Sequence, residues 1–415
     1  MKYNSNVKYA RHRFIVFTLL AITVALVCVL YFGMFTQDAD DAGGESTPLP
    51  TLTPTSPPEP TLEQRIDAYI AKMTLEQKIG QMFIIDLEAL ETGKRTEYEF
   101  PTAISDAQIQ NLSKYKVGGI IYFSGNLTDR DSLVNYNKNL QSNSDIPLFI
   151  SVDEEGGSVS RLAKHGNMGV TVFPNMQEIG ATGDSHNALN VGETFANELS
   201  PLGFNLDFAP VADVNTNPEN PVIGPRAFAS DANLVAKMVV AEVNGLQSKI
   251  SAVLKHFPGH GDTTQDSHTG KVKVNANLER LRKVELLPFK AGIDAGVDAV
   301  LTAHIDLPNV TDDGLPATMS REIVTDLLRN ELNFQGIIIT DALDMEAISD
   351  YYTPQQIVTN CINAGIDILL MPKYFYDTHD AFLAAVQSGE ISEARIDESL
   401  RRIVSIKVKR GVIKL

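Results

Sequence analysis

Two cysteines in 415 residues, Cys28 and Cys361, are too few for a disulfide framework. Cys28 also sits inside an apolar run, where pairing with a distant residue of a folded body is implausible, so no disulfide is expected. Basic residues are scarce too. Against 52 Asp and Glu there are 35 Lys and Arg, a formal charge of -17, which leaves no extended basic surface for phosphate backbones and excludes nucleic acid as an expected partner. The paired glycines Gly156 and Gly157 lack G-x-G-x-x-G spacing and give no case for a dinucleotide. What remains is a globular composition, 43% hydrophobic and 21% charged, in a chain too long to be a small stapled domain.

From Phe14 to Phe35 run 22 residues without a charge, enough to cross a hydrocarbon layer as a helix. Lys2, Lys8, Arg11 and Arg13 precede this run and Asp38, Asp40, Asp41 and Glu45 come after it. The positive-inside rule therefore predicts a cytoplasmic tail at 1–13, a transmembrane helix or uncleaved signal anchor at 14–35, and export of the chain beyond Thr36. A cleaved signal peptide is the rival reading, but its apolar core would be shorter. Leu26 and Val27 before Cys28 do not suit a lipoprotein site, which wants a small residue there. Residues 36–61 hold six prolines and five acids with no basic residue, a mixture that cannot bury enough apolar surface to fold and reads as a stiff linker. Cleavage within it would release a soluble protein.

Beyond Leu62, eight short apolar or β-branched runs read as strands: 81–86, 118–123, 148–153, 204–210, 251–257, 299–305, 336–341 and 367–372. Segments of helical spacing separate them, among them 107–115, 188–199, 232–247, 278–295, 321–332 and 353–364, and a last helix over 391–410 is expected to cover the outside or the bottom. Near-continuous apolar strands alternating with helices predict an α/β fold, a (β/α)8 TIM-type barrel over residues 62–415 as one domain. In such a barrel the active site lies at the C-terminal ends of the strands. Those positions carry Asp86, Asp153, Asp207, Lys255, His256, His304, Asp341 and Met371, too many ionisable groups for packing alone, although any single Asp is as well explained as a helix cap.

The densest chemistry is the run Lys255 to His268, KHFPGHGDTTQDSH, with three of the eight histidines in thirteen residues. Asp266 and His268 are spaced i, i+2, so on an extended segment a carboxylate can hold the imidazole in one tautomer as a general acid/base. Two other readings stay open here: a locally satisfied Asp-Ser-His turn, and a metal site built from His256, His260, Asp262 and His268. Asp341, at the end of the seventh run, is the candidate carboxylate to face it, with Asp344 and Glu346 weaker candidates and a helix cap the bland alternative. Asp153 and Arg161 flank the paired glycines and suit hydroxyl and acid groups.

Taken together these motifs resemble family 3 glycoside hydrolases, in particular single-domain β-N-acetylhexosaminidases of the NagZ type. The resemblance runs through MTLEQKIGQM (73–82), DEEGG (153–157), NLDFAPVAD (205–213), VIGPR (222–226) and the whole histidine loop, and so covers nearly all of 62–415. It implies Asp341 as nucleophile of a covalent glycosyl-enzyme, His268 as acid/base and Asp266 as its orienter. It also implies Asp153, Arg161, Arg226, Lys255 and His256 as ligands of an N-acetylglucosamine unit, and neither metal nor cofactor. Ala227 stands where many relatives have Ser, and the adjacent arginine is retained.

The expectation is a retaining exo-β-N-acetylglucosaminidase acting on a carbohydrate, terminal β-linked GlcNAc of peptidoglycan fragments or related oligosaccharides. It is expected as a monomer, single-pass in the cell membrane of what looks like a Gram-positive bacterium, with the catalytic domain outside. Two alternatives are a phosphorylase using phosphate as acceptor and a catalytically silent surface glycan-binding protein.

Overall fold

A computed structural model of the chain describes residues 59–96, 100–265 and 270–415. The expected transmembrane helix at 14–35, and the linker as far as residue 58, lie outside the described residues, as do Asp266 and His268. No described helix is long and apolar enough to cross a membrane. From Pro60 to Leu415 the chain forms one compact unit. Its first helix, Leu62–Ile70, starts at the Thr61 cap, where Thr61 and Gln64 exchange side-chain-to-backbone bonds in a capping box.

Each of the eight expected runs contains one barrel strand: β1 (Phe83–Asp86), β2 (Gly119–Tyr122), β3 (Phe149–Val152), β4 (Leu206–Asp207), β5 (Ser251–Phe257), β6 (Ala299–Thr302), β7 (Ile337–Thr340) and β8 (Leu369–Leu370). They stand side by side in chain order, all parallel, with β8 paired to β1 through Phe83↔Leu369. A bridge between Ile339 and Ile368 brings β7 to β8 and nearly closes the ring. Helices on the outside and side chains on the inside bury both faces of the sheet, which is why the strands read as unbroken apolar runs.

The pairing of β5 with β6 slips between Leu254 and Phe257, a bulge-like irregularity. Alternation would send consecutive side chains to opposite faces of a regular strand, yet Lys255 and His256 within this slip both line the central cavity. The expected helix over 278–295 is two helices, Leu278–Lys283 and Leu286–Asp294. Val284 leaves helical geometry between them, and Pro288 falls in the first turn of the second, where its missing N–H costs nothing.

The final helix, Glu393–Lys409, lies across the bottom of the barrel. Asp367, just ahead of β8, accepts from Ser399 Oγ at 2.6 Å and Arg402 at 3.0 Å, and Asp298, just ahead of β6, accepts from Lys409 at 2.8 Å. Lys407 is fully buried and donates to Gln81 Oε1, the Gly118 carbonyl and the Pro147 carbonyl at 2.7, 2.9 and 2.6 Å. Three acceptors at the N-terminal ends of β1, β2 and β3 thus converge on one ammonium, which burial pushes down to about 7.

Candidate active site

At the C-terminal ends of the strands lies a cavity of about 590 Å³. Of the eight strand-end residues expected there, Asp153, Lys255, His256, Asp341 and Met371 line it. The other three do not line it. Asp86 caps the helix Leu87–Thr92, accepting from the amides of Glu88 and Ala89. Asp207 is buried beneath the β3 loop and accepts from the Glu154 amide at 2.9 Å, and burial drives its carboxyl well above the usual range. His304 bonds Thr318 Oγ1 through Nδ1 and the Ala342 carbonyl through Nε2, both at 3.0 Å.

The inner wall is a chain of buried ionic contacts. After β3 the backbone folds into a short hairpin, Glu154–Gly156 against Val159–Ser160. Gly156 and Gly157 turn it with φ of 84° and 56°, and a Cβ on Gly157 would stand 2.2 Å from Asn175 Oδ1. Inside the hairpin Glu154 accepts from Ser160 Oγ and from the amides of Arg161 and Leu162, which sets the direction in which Arg161 leaves. Glu155 accepts two bonds from Arg226 at 2.8 Å and pairs with Lys255 Nζ at 2.6 Å, while Lys255 also reaches Asp153 Oδ1 at 2.7 Å. Burial alone would raise the Glu155 carboxyl, but the Arg226 guanidinium and Lys255 ammonium outweigh it and hold it well below the usual range. Burial likewise opposes the Lys255 charge, and Asp153 with Glu155 more than offsets it.

Arg226 enters on the tight turn Gly224–Arg226, whose approach is fixed by Asn220 Oδ1 accepting from the Val222 and Ile223 amides. Its Nη2 also lies 3.3 Å from His256 Nε2, and His256 Nδ1 is 2.7 Å from Asp213 Oδ2. A guanidinium only donates, so the contact assigns the lone pair to Nε2 and the proton to Nδ1, which donates to Asp213. Asp213 is fully buried and also accepts from the His260 amide through Oδ1 at 2.6 Å. Burial opposes its charge, and His256 and His260 more than reverse that, leaving its carboxyl below the usual range. The loop needs its glycines here: a Cβ on Gly261 would stand 1.9 Å from the Val214 carbonyl oxygen.

Asp341 follows β7. Its amide donates to the Thr302 carbonyl at 2.9 Å and its Oδ1 accepts from the Ala342 amide at 2.8 Å. It caps no helix, since the next one, Glu346–Ser349, begins after Met345 without a side-chain cap. Asp344 and Glu346 line the same cavity, and Asp344 is paired with Arg95 at 2.9 Å. Arg161 stands 3.9 Å from Asp153, and its guanidinium and that of Arg95 lie 5.4 and 4.3 Å from the centroid of the Phe123 ring at the outer wall.

The structure therefore brings together Asp153, Arg161, Arg226, Lys255, His256 and Asp341. Glu155 and Asp213, each held by two of these or their neighbours, had been visible only as letters within DEEGG and NLDFAPVAD. Among the described residues no group of three His, Cys, Asp or Glu is placed to hold a metal ion. His256 turns to Asp213, and Asp262 turns away to Thr216 Oγ1 at 2.8 Å.

Set beside known proteins, residues 74–406 match the family model described as glycosyl hydrolase family 3 N terminal domain. A beta-hexosaminidase A of Pseudoalteromonas piscicida is 37% identical over 371 residues, covering 81% of this chain and 61% of its own length. A beta-hexosaminidase of Stenotrophomonas maltophilia (strain K279a) is 34% identical over 287 residues, 68% of this chain and 83% of that one. Among solved structures, a glycoside hydrolase family 3 beta-N-acetylglucosaminidase from Paenibacillus sp. str. FPU-7 superposes with a TM-score of 0.76 at 40% identity, over 83% of this chain and 65% of that one. The chain thus spans roughly three fifths of the Pseudoalteromonas protein and about two thirds of the Paenibacillus one.

Proposed function

The chain belongs to glycosyl hydrolase family 3, and on that premise we propose that it is a retaining exo-β-N-acetylglucosaminidase that releases terminal β-linked GlcNAc from peptidoglycan fragments or related oligosaccharides. The observation that carries this is Asp341 opening onto a cavity of about 590 Å³ whose inner wall is the Asp153–Lys255–Glu155–Arg226–His256 chain. That volume is of the size that encloses a small ligand, and the polar wall suits a sugar with several hydroxyls and an amide. The β-hexosaminidase names of the relatives point the same way.

In this reading Asp341 attacks the anomeric carbon while His268, oriented by Asp266, protonates the departing glycosidic oxygen. Water, deprotonated by His268, then attacks the same carbon and releases Asp341. An imidazole in that role adds no second negative charge beside the nucleophile, whereas a second carboxylate would repel it. Asp153, Arg161, Arg226, Lys255 and His256 hold the GlcNAc unit. We extend the proposal to residues 14–35 as an anchor that displays this domain outside the membrane, to be checked by fractionation and by protease access on intact cells.

Hydrolysis of aryl β-GlcNAc and aryl β-glucoside by the full chain, with and without phosphate, tests the activity. Preference for β-GlcNAc without a need for phosphate is expected, with Asp341→Asn abolishing turnover and His268→Ala slowing poor leaving groups far more than good ones. Wild-type rates in Asp341→Asn would remove that residue from the mechanism.

A further inference from the structure

Beside the catalytic cavity lies a second one of about 340 Å³, and Lys373 lines both. Its walls come from the loops after β7 and β8, on the same end of the barrel as Asp341. Tyr351 and Tyr352 follow the helix Glu346–Ser349 in the loop that begins with Asp341, and Tyr374 follows β8 just ahead of the helix Phe375–Gln387. Tyr351 and Tyr374 are 54% and 48% exposed, and they are the exposed aromatics among the described residues apart from Phe100. Neither phenol hydroxyl has a hydrogen-bond partner among the described residues.

Two exposed tyrosines lining one cavity offer a ligand two aromatic faces to stack on. A tyrosine offers a flat apolar face with a polar edge. A pyranose offers the complement, a face of C–H groups ringed by equatorial hydroxyls. Hydrogen-bonding groups for those hydroxyls stand alongside in Asp350 and Lys373, the latter 3.3 Å from Ser349 Oγ and 3.7 Å from Asp350. Lys271, the second residue described after the catalytic loop, places its ammonium 4.7 Å from the centroid of the Tyr351 ring and 5.6 Å from that of Tyr352.

We propose that Tyr351, Tyr374 and Lys373 form a distal subsite for a pyranose unit of the leaving portion of a β-linked saccharide. This rests on the exo-glycosidase reading above. With the terminal sugar at Asp341, the rest of the chain leaves past Lys373, which carries it to the tyrosines. The subsite confers a preference for longer saccharides over disaccharides.

The test compares kcat/KM for the GlcNAc disaccharide and tetrasaccharide in the full wild-type chain and in Tyr351→Ala, Tyr374→Ala and Tyr374→Phe. The tetrasaccharide-to-disaccharide ratio should exceed one in the wild type and fall about fivefold to tenfold in each Ala variant, the scale of one lost stacking face. Tyr374→Phe keeps the face and should keep the ratio. A ratio unmoved by both Ala variants overturns the subsite, as does a length preference seen only with peptide-bearing fragments. If the wild type cleaves no β-GlcNAc substrate, it is the exo-glycosidase reading that has failed. The subsite is then judged by tetrasaccharide binding, followed by tyrosine emission because the chain contains no tryptophan. Binding equal in wild type and Tyr374→Ala overturns it.

Discussion

Asp213 offers the sharpest test of the buried wall, because its two oxygens do different work. Oδ1 accepts from the His260 amide at 2.6 Å, and Oδ2 accepts from His256 Nδ1 at 2.7 Å and the His256 amide at 3.2 Å. Asp213→Asn keeps the shape but replaces one acceptor with a donor, and neither orientation of the amide is tolerated. With its NH2 toward His260 it meets a backbone N–H that has no other state. With its NH2 toward His256 it forces the imidazole to move its proton to Nε2, which then meets the Arg226 guanidinium at 3.3 Å. At least one buried donor is left unmade and a charge-assisted bond is lost, together about 3 kcal/mol. With a urea m-value of about 3 kcal/mol/M the unfolding midpoint should fall by roughly 1 M. If the imidazole is the group that yields, kcat/KM falls by about tenfold to a hundredfold through KM, since His256 lines the cavity. The pH dependence comes from the depressed carboxyl. Asp213 contributes fully above the ordinary carboxylate pKa of about 3.9, and the contribution fades as pH falls through its lower folded value, an acid limb that the variant should lack. A variant with wild-type midpoint and wild-type KM at neutral pH would refute the donor–acceptor reasoning.

Glu242 is buried behind the same wall with neither oxygen partnered among the described residues, and burial, helped by the Glu155 charge, raises its carboxyl from 4.5 to about 8. The folded state therefore holds a proton that the unfolded chain gives up, and stability falls as pH rises from about 4.5 to about 8; Glu242→Gln should gain up to about 3 kcal/mol at pH 7, and identical pH profiles of unfolding in the two chains would dismiss this. Lys407→Met strands the acceptors Gln81, Gly118 and Pro147 at the barrel floor and should cost about 3 kcal/mol in urea unfolding while the folded fraction retains its kcat. Gly261→Ala drives a Cβ against the Val214 carbonyl at 1.9 Å and should cost most of the activity. Gly166→Ala, with φ 74° but open space around it, should cost only about 1 to 2 kcal/mol and little rate; since Gly261 is not in the left-handed region, a Gly261→Ala loss no larger than that at Gly166 would mean that the loop shifts to relieve the close approach.

The barrel was legible because its strands are buried on both faces, so each appears as an uninterrupted apolar run whose limits fall within a few residues of those in the structure. The break at Val284 was not, because the apolar spacing continues through it and only the backbone departs from the helix. Strand-end position singled out Asp153, Lys255, His256 and Asp341, but the same rule swept in Asp86, Asp207 and His304, whose partners are a helix start, a hairpin amide and a neighbouring loop. Glu155 and Asp213 went without a role because their partners lie far along the chain, Arg226 for one and His256 for the other, and pairing at that range leaves no periodic mark. The signal available was indirect: two acidic residues in apolar or glycine-rich settings with no neighbouring base.

The pairing of β8 with β1, and the reach of Lys407 to the ends of β1, β2 and β3, also bear on how the molecule is made. A nascent chain that ends before Leu369 presents β1 and β7 as two open edges, with unpaired amides and carbonyls ready to recruit strands from other molecules. The last tenth of the polypeptide seals the ring and plugs its floor, so closure has to wait for contacts between residues far apart in the sequence, which is expected to slow folding. Loss of that last segment, by truncation or by proteolysis during synthesis, should yield aggregates rather than a smaller folded protein.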